Sequence, residues 1–584
     1  MQLRTTVCAY GWLVAMAVGI LMMAGCGSDS DSIGQQPAAS DESPWRSFTD
    51  EFVESHFAAA PTRAVWAGRH DYDGQLQSVT LAAIRENTAM LSGYARRTAE
   101  EFPADALTPA EELERQHLLS AIEGMLFGVE VAEYHLRNPA WYAGPLSPSV
   151  YVAREYAPRD VRLAALTSHL EKIPAYLQQM RETLRPPFPR PFVRTALVRF
   201  AGLASHFEDD LPGLFVAVAD EDLQAEFAAA LDSAVAALRE AENWLELRLD
   251  DAAGDFALGE ERYQELLRRA YRIDLPWQTL KNVAQRDLAR NLELLRNACK
   301  LIDSAITIAD CAARVRSDKP PQGAVARASE QLPELREFLI AKNLIGIPGE
   351  ETAYVAEAPA YRRTNSAYIE IPGPYEEGLP AIYYIAGPDP EWPLEMRRQY
   401  LPGEAALLNI SVHEVWPGHF LHSLYLKRSA NRMGKLFWNA MLSEGWAHYA
   451  EELMQEAGLS EGKPLLRAGQ ILDALMRDVR FLSSIGLHVE GMSVDTSQRM
   501  FAELAYLDPG NAAQQALRGA YDPDYFVYTL GKLIIMRMRE DWTANRGGRA
   551  AWKEFHETLL SLGNAPLPAL REAMLGPNAP GPLL

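Results

Sequence analysis

The stretch Ser411-Val-His-Glu-Val-Trp-Pro-Gly-His-Phe-Leu-His422 sets a His-Glu dipeptide, His413-Glu414, a short way ahead of a second histidine, His419. A second stretch, Ser443-Glu-Gly-Trp-Ala-His-Tyr-Ala-Glu451, supplies a helical carboxylate, Glu444. Two imidazoles and one carboxylate are the ligand set of a catalytic zinc with an open fourth position. The spacing is unusual. Histidines four apart share one face of a helix, but His413 and His419 are six apart, roughly 240° of rotation on an ideal helix. Pro417 and Gly418 lie between them. Proline has no N–H for the ladder, and its ring clashes with the carbonyl four residues back. A bulge or broken turn there brings both rings to one side. Without such a break, the histidines belong to ordinary polar helix faces.

Glu444, His448 and Glu451 recur at helical spacing and share a face. Glu444 and His448 flank the apolar Gly445-Trp446-Ala447, which favours a buried role; Glu451 and Glu452 suit a solvated face with local ion pairs. Glu414, beside the first histidine, stands where the general base of a zinc peptidase stands. The pattern therefore predicts hydrolysis of peptide bonds.

His413-Glu-Val-Trp-Pro-Gly-His419 and Glu444-Gly-Trp-Ala-His-Tyr449 resemble the bacterial proteins grouped as domain of unknown function 885. That family is similar to zinc peptidases of the angiotensin-converting-enzyme-like and carboxypeptidase-Taq-like gluzincin type. The resemblance extends over most of the mature chain: Pro61-Thr-Arg-Ala-Val-Trp-Ala-Gly-Arg-His-Asp-Tyr72, Leu258-Gly-Glu-Glu-Arg-Tyr-Gln-Glu-Leu-Leu267, Ile485-Gly-Leu-His488 and Tyr528-Thr-Leu-Gly-Lys532 all match in order. It implies that His413, His419 and Glu444 bind zinc and that Glu414 activates water. It also implies that His488 and Tyr528 steady the tetrahedral intermediate. Three positions depart from the family: His422 replaces a usual glutamine, His448 a usual aliphatic residue, and Ser484-Ile485 a usual aspartate-threonine pair. The last removes a carboxylate that would orient His488.

The N-terminus reads as targeting rather than structure. Arg4 precedes the apolar run Trp12 to Met23, which is short for a membrane span. The run ends in Met23-Ala-Gly-Cys26, which resembles a bacterial lipoprotein cleavage box with methionine where leucine is preferred. This implies a signal peptide over residues 1–25, lipidation of Cys26 and a flexible tether over 26–44; an ordinary secretory signal is the alternative. The lipid anchor would hold the chain in a bacterial cell envelope, periplasmic or outer-membrane. Cys299 and Cys311 either close a disulfide, as an oxidising compartment allows, or are two small buried residues. A formal net charge of -22 argues against nucleic acid or anionic lipid as a partner. No phosphate loop, dinucleotide fingerprint or Gly-x-Ser-x-Gly elbow is present.

Helical periodicity dominates, so the expected fold is mostly α: a large helical zinc-peptidase-like domain over 45–584, as one body or as two lobes around a substrate cleft. Thr108-Pro-Ala-Glu111 is a capping box with proline at the first helical position. Asp160 to Leu184, Asp220 to Leu249, Tyr263 to Ile273 and Trp277 to Ile302 carry core stripes. Arg185 to Phe192 and Lys319 to Gly323 break the pattern with Pro and Gly. The exception is Ala353 to Pro390, where Ala367 to Ile371 and Leu379 to Ile385 read as short strands. One of them, by analogy with zinc peptidases, is an edge strand that pairs with a peptide substrate; a plain structural hairpin is the other reading.

The expected chemistry is zinc-dependent hydrolysis of short peptides outside the cytoplasm. Arg477, Arg480 and Lys532 are candidate partners for a substrate carboxylate. The rival reading is a non-catalytic zinc-containing lipoprotein that binds peptides or a partner, against which stands the intact Glu414.

Overall fold

The computed structural model describes residues 43–359, 362, 367–388, 393–576, 579 and 582–584. The signal peptide, Cys26 and nearly all of the tether lie outside the described residues. The helices that matter below are α1 (Pro61–Ala67), α2 (Pro109–Leu126), α3 (Arg159–Thr183), α4 (Arg190–Asp209), α5 (Glu221–Leu249), α6 (Trp277–Ile302), α7 (Ile308–Ser317), α8 (Glu404–Glu414), α9 (His419–Arg428), α10 (Arg432–Leu436), α11 (Ala440–Glu456), α12 (Pro464–His488), α13 (Pro509–Tyr521) and α14 (Val527–Thr543). The fold is mostly α, as the periodicity predicts.

Local chemistry sets several boundaries. Thr108 caps α2 with both arms of the capping box, its side chain accepting from the Glu111 N–H while Glu111 bonds back. Asp220 caps α5 through the Leu223 N–H. α6 runs over the residues its apolar stripe predicts and is joined to α7 by the Cys299–Cys311 disulfide. The Pro-rich segment after Leu184 separates α3 from α4, although α4 begins within it, at Arg190.

An N-terminal core forms where α3, α4 and α5 meet, with Leu166, Leu170, Phe200, Phe207 and Leu238 fully buried. Each such side chain stabilises the fold by roughly 1.5–3 kcal/mol. A larger C-terminal core holds Val412, Trp416, Phe420, Trp446, Ile534 and Ile535. The motif helices are thus core elements with their polar ligands turned toward a cavity.

The strands form one small mixed sheet in the order β1-β3-β2: β1 (Ala353–Glu357) pairs parallel with β3 (Ala381–Ile385), and β2 (Ala367–Glu370) pairs antiparallel with β3. The β2–β3 pair is the expected hairpin; β1 adds a flank that the sequence reading did not separate. β3 is the buried centre and β2 an edge. Arg154 anchors the sheet to the N-terminal helices, donating to Glu370 at 2.8 Å and to Glu376 at 2.8 Å.

Candidate metal centre

α8 ends at Glu414, and the chain breaks there. Val415 and Trp416 both donate to the Ser411 carbonyl, at 3.0 and 3.3 Å, and Gly418 donates to the Val412 carbonyl at 3.0 Å. A Cβ on Gly418 would lie 1.7 Å from the His413 carbonyl oxygen, so only glycine lets the chain pass so close. α9 then starts at His419. The Pro-Gly pair is therefore the device that makes the site: two short helices replace one, and the rings of His413 and His419 meet at 4.8 Å between centroids, nearly perpendicular at 88°.

The second motif is explained residue by residue. Trp446 donates its indole N–H to the Pro417 carbonyl at 2.9 Å, tying α11 to the broken turn. Gly445 faces Gly531 on α14, where an added Cβ would approach the neighbouring backbone to 2.6 Å or less on either helix. This close crossing brings Tyr528 beside Glu444. Glu444 Oε2 lies 3.4 Å from Nε2 of His413 and 3.4 Å from Nε2 of His419. One ligand atom from each of the three residues lies within 4.8 Å of the other two.

The far ring nitrogens are also held. His413 Nδ1 lies 2.7 Å from Glu451 Oε1, and His419 Nδ1 lies 3.4 Å from the Ser443 hydroxyl. Glu451 is in turn fixed by Arg477 at 2.8 Å and by the Asn409 amide at 3.0 Å. Both Nε2 atoms are left to converge with Glu444, the arrangement a tetrahedral N/O metal site requires. The donor set fits zinc. Burial alone would lower the proton affinity of His413, but hydrogen bonds to Glu444 and Glu451 raise its pKa to about 9. Burial works against the charge on Glu444 too, yet the two imidazoles hold its carboxyl well below the usual range.

Glu451 and Glu452 correct the solvated-face reading, since both are buried. Glu452 joins a buried ion cluster with Arg290 and Lys532. Lys532 is fully buried against Asp287 at 2.8 Å and does not line the cavity, so it is not a partner for substrate. Arg477 lines the cavity but is committed to Glu451. Arg480 lines it too; it donates to Gln515 at 2.8 Å, and among the described residues no carboxylate pairs with it.

The trio opens into a cavity of about 580 Å³, lined also by Glu414, Tyr528, Trp438 and the β2 residues Ala367 to Ile369. Burial raises the Glu414 pKa, against the pull of both histidines. Tyr528 accepts from Arg518 at 3.4 Å and lies under the Arg480 guanidinium at 4.8 Å. His488 is not brought to this cavity. Its Nε2 donates to the Gly519 carbonyl at 2.8 Å, and burial pushes its pKa down to about 4. His422 and His448 are buried behind the ligands, each with an unpartnered Nε2 and a pKa lowered by burial to about 3. Sequence reasoning missed the roles of Glu451 and Arg477. The signal was present: Glu451 lies two turns beyond Glu444, on the same helix face.

A family model described as "Bacterial protein of unknown function (DUF885)" matches residues 61–574, nearly the whole described chain. The chain belongs to the DUF885 family. No curated protein matches it. Among solved structures, the chain is similar to a "putative lipoprotein of unknown function" from Shewanella oneidensis, at 24% identity and a TM-score of 0.75, over 91% of this chain and 100% of that one. It is similar also to a "putative lipoprotein" from Colwellia psychrerythraea, at 15% identity and a TM-score of 0.75, over 91% of this chain and 98% of that one. At these identities the likeness establishes a shared fold.

Proposed function

We infer that this DUF885 protein is a zinc-dependent peptidase of the cell envelope with a helical, zinc-peptidase-like fold. The observation that carries the reading is the convergence of His413, His419 and Glu444 with both Nδ1 atoms held from behind and Glu414 in the same cavity. Zinc bound there supplies Lewis acidity and brings the ionisation of a water close to neutral pH. Glu414 takes the proton from the attacking water and delivers it to the leaving amine. Its buried position suits this, because a carboxyl with raised proton affinity is a better base near neutrality. Tyr528, polarised by Arg518 and Arg480, donates to the developing oxyanion, where one such donor contributes ~3 kcal/mol. β2 runs along the cavity as a sheet edge, so an extended peptide pairs with it. Arg480 is the remaining candidate for a substrate carboxylate from the sequence reading. His488, bound to a carbonyl outside the cavity, has no part in this scheme.

The decisive experiment pairs metal analysis with turnover of a peptide library. Glu414→Gln retains zinc and loses at least ~10²-fold in rate, the lower end of general base catalysis; His413→Ala and Glu444→Ala lose both. Wild-type turnover by a zinc-loaded Glu414→Gln protein would leave the non-catalytic peptide-binding reading standing.

The lipid anchor is part of the same proposal. It rests on Met23-Ala-Gly-Cys26 and accords with the descriptions given to the two solved relatives. Intact mass of the native protein shows acylation at Cys26, lost in Cys26→Ser; an unmodified mature N-terminus rules it out.

A further inference from the structure

A second cavity, of about 690 Å³, adjoins the metal cavity. The side chains of Trp66, Ile371 and Trp438 line both. Trp438 is 58% exposed although its ring lies 6.0 Å from that of His419, so an open indole stands at the junction. α9 runs from one cavity to the other. His419 begins it in the first; Ser423 and Lys427, one and two turns on, face the second. Eight residues of helix span roughly 12 Å, which three to four residues of extended peptide also cover.

The second cavity is cationic in a chain whose formal net charge is -22. Arg63 on α1, Lys427 on α9 and Lys435 on α10 line it from three separate helices. No carboxylate among the described residues forms a direct ion pair with any of the three, although the charges of Glu351 and Glu376 reach Lys427 from farther off. Arg63 and Lys435 have no side-chain hydrogen bond there, and Lys427 reaches only the Glu376 carbonyl, at 3.5 Å. Arg63 is solvent-exposed where it lines the cavity, and Lys427 and Lys435 are half-buried. Arg154, also on the wall, is neutralised by Glu370 and Glu376. The one acid on the wall is Asp524, whose carboxyl burial and the charge of Asp522 push up to about 7. Three cations without an ion-pair partner around one concave cavity concentrate a positive field that draws anionic groups into it.

We propose that this cavity binds carboxylate groups of the substrate, three to four residues from the bond that is cleaved, and so selects acidic peptides. The proposal rests on the peptidase reading for its register, but the binding it describes is measurable without turnover. Three cations in one cavity fit acidic side chains in series, and a free chain end is the other source of the same group.

The test uses the zinc-loaded Glu414→Gln chain, which holds peptide without cleaving it. The probes are four fluorescent hexapeptides, identical except for three Glu or three Gln at one end and a free or amidated C-terminus. Anisotropy titrations are expected to show the Glu peptides binding at least ~10-fold tighter than the Gln peptides, the size of one hydrogen bond to a charged group. The ratio falls toward one in Arg63→Met and in Lys435→Met and is kept in Arg63→Lys; melting curves confirm that each variant is folded. A free-acid preference that the same Met variants abolish assigns the site to the chain end. Equal binding of all four peptides, or a preference that both Met variants leave intact, overturns the proposal. A wild-type chain that cleaves none of the peptides sinks the peptidase reading alone, because the binding ratio is read independently.

Discussion

At the scale of single residues, the site depends as much on what stands behind the ligands as on the ligands themselves. Glu451 stands behind the candidate metal centre; it holds His413 Nδ1 at 2.7 Å while Arg477 and Asn409 hold Glu451. Its carboxyl is buried, which works against charge, yet Arg477 and the hydrogen bond with His413 hold it well below the usual carboxylate range. Glu451 is therefore a positioning residue and not part of the solvated helix face that the sequence suggests. Glu451→Gln keeps the shape and one hydrogen bond but loses the charge. It is expected to weaken zinc binding by ~10–100-fold, as removal of an outer-shell carboxylate does, with Glu414 chemistry intact in protein saturated with metal. Competition against a chelator measures the first effect, and turnover at excess zinc the second. Unchanged zinc affinity would show that the packing around His413 orients the ring without help from Glu451.

At the scale of elements, legibility followed locality. α2, α5 and α6 could be read because caps and apolar stripes act within a few residues of one another. The His413–His419 pair was legible as a possibility and undecided as a geometry. Whether Pro417-Gly418 made or destroyed the site depended on Trp446 grasping the Pro417 carbonyl from a different helix. The Gly445–Gly531 crossing was invisible for the same reason, since each glycine has meaning only against the other. Lys532 illustrates the converse error. It sits one turn beyond Tyr528 and looked available, but its partners Asp287 and Glu452 come from helices remote in sequence. His488 kept its place on the last turn of α12 yet faces the Gly519 carbonyl, because a carboxylate partner next to it is lacking from the sequence and a backbone acceptor on α13 is near. β1 escaped notice because its pairing with β3 is parallel and joins segments on either side of β2.

At the scale of the whole molecule, the chain buries several histidines in the neutral form, and this bears on how it responds to acid. His117, His169 and His556 lie far from the metal centre in sequence and are buried; burial lowers their pKa values to about 4, 4 and 3. His556 is neutral by construction as well, with Nδ1 donating to the Leu344 carbonyl at 2.8 Å and Nε2 left to the Tyr449 hydroxyl at 2.6 Å. The unfolded chain protonates each of these near pH ~6.5, and the folded chain does not until well below that. Their contribution is therefore complete above pH ~6.5 and is lost as pH falls toward 4, at a limit of ~1.4 kcal/mol per pH unit for each histidine. His70 acts in the other direction. Burial opposes its charge, but Asp73 and Glu376 raise its pKa to about 9, so its contribution is present below pH ~6.5 and lost only as pH rises through 9. It cannot offset the acid loss, because folded and unfolded chains both carry that proton there. The carboxylates with depressed values, Glu452 among them, join the loss only at lower pH, below ~4.3. Asp524 and Asp473, whose carboxyls are pushed up to about 7 and 6 by burial, take up protons in the folded chain first and offset part of this loss; the larger number of buried neutral histidines leaves a urea-unfolding midpoint that is expected to fall from pH 7 to pH 5. The slope is shallower in His169→Gln, which removes one ring that titrates in the unfolded chain but not in the folded one over this range. A midpoint flat over that range would mean that these rings gain protons in the folded chain, with local opening as the route.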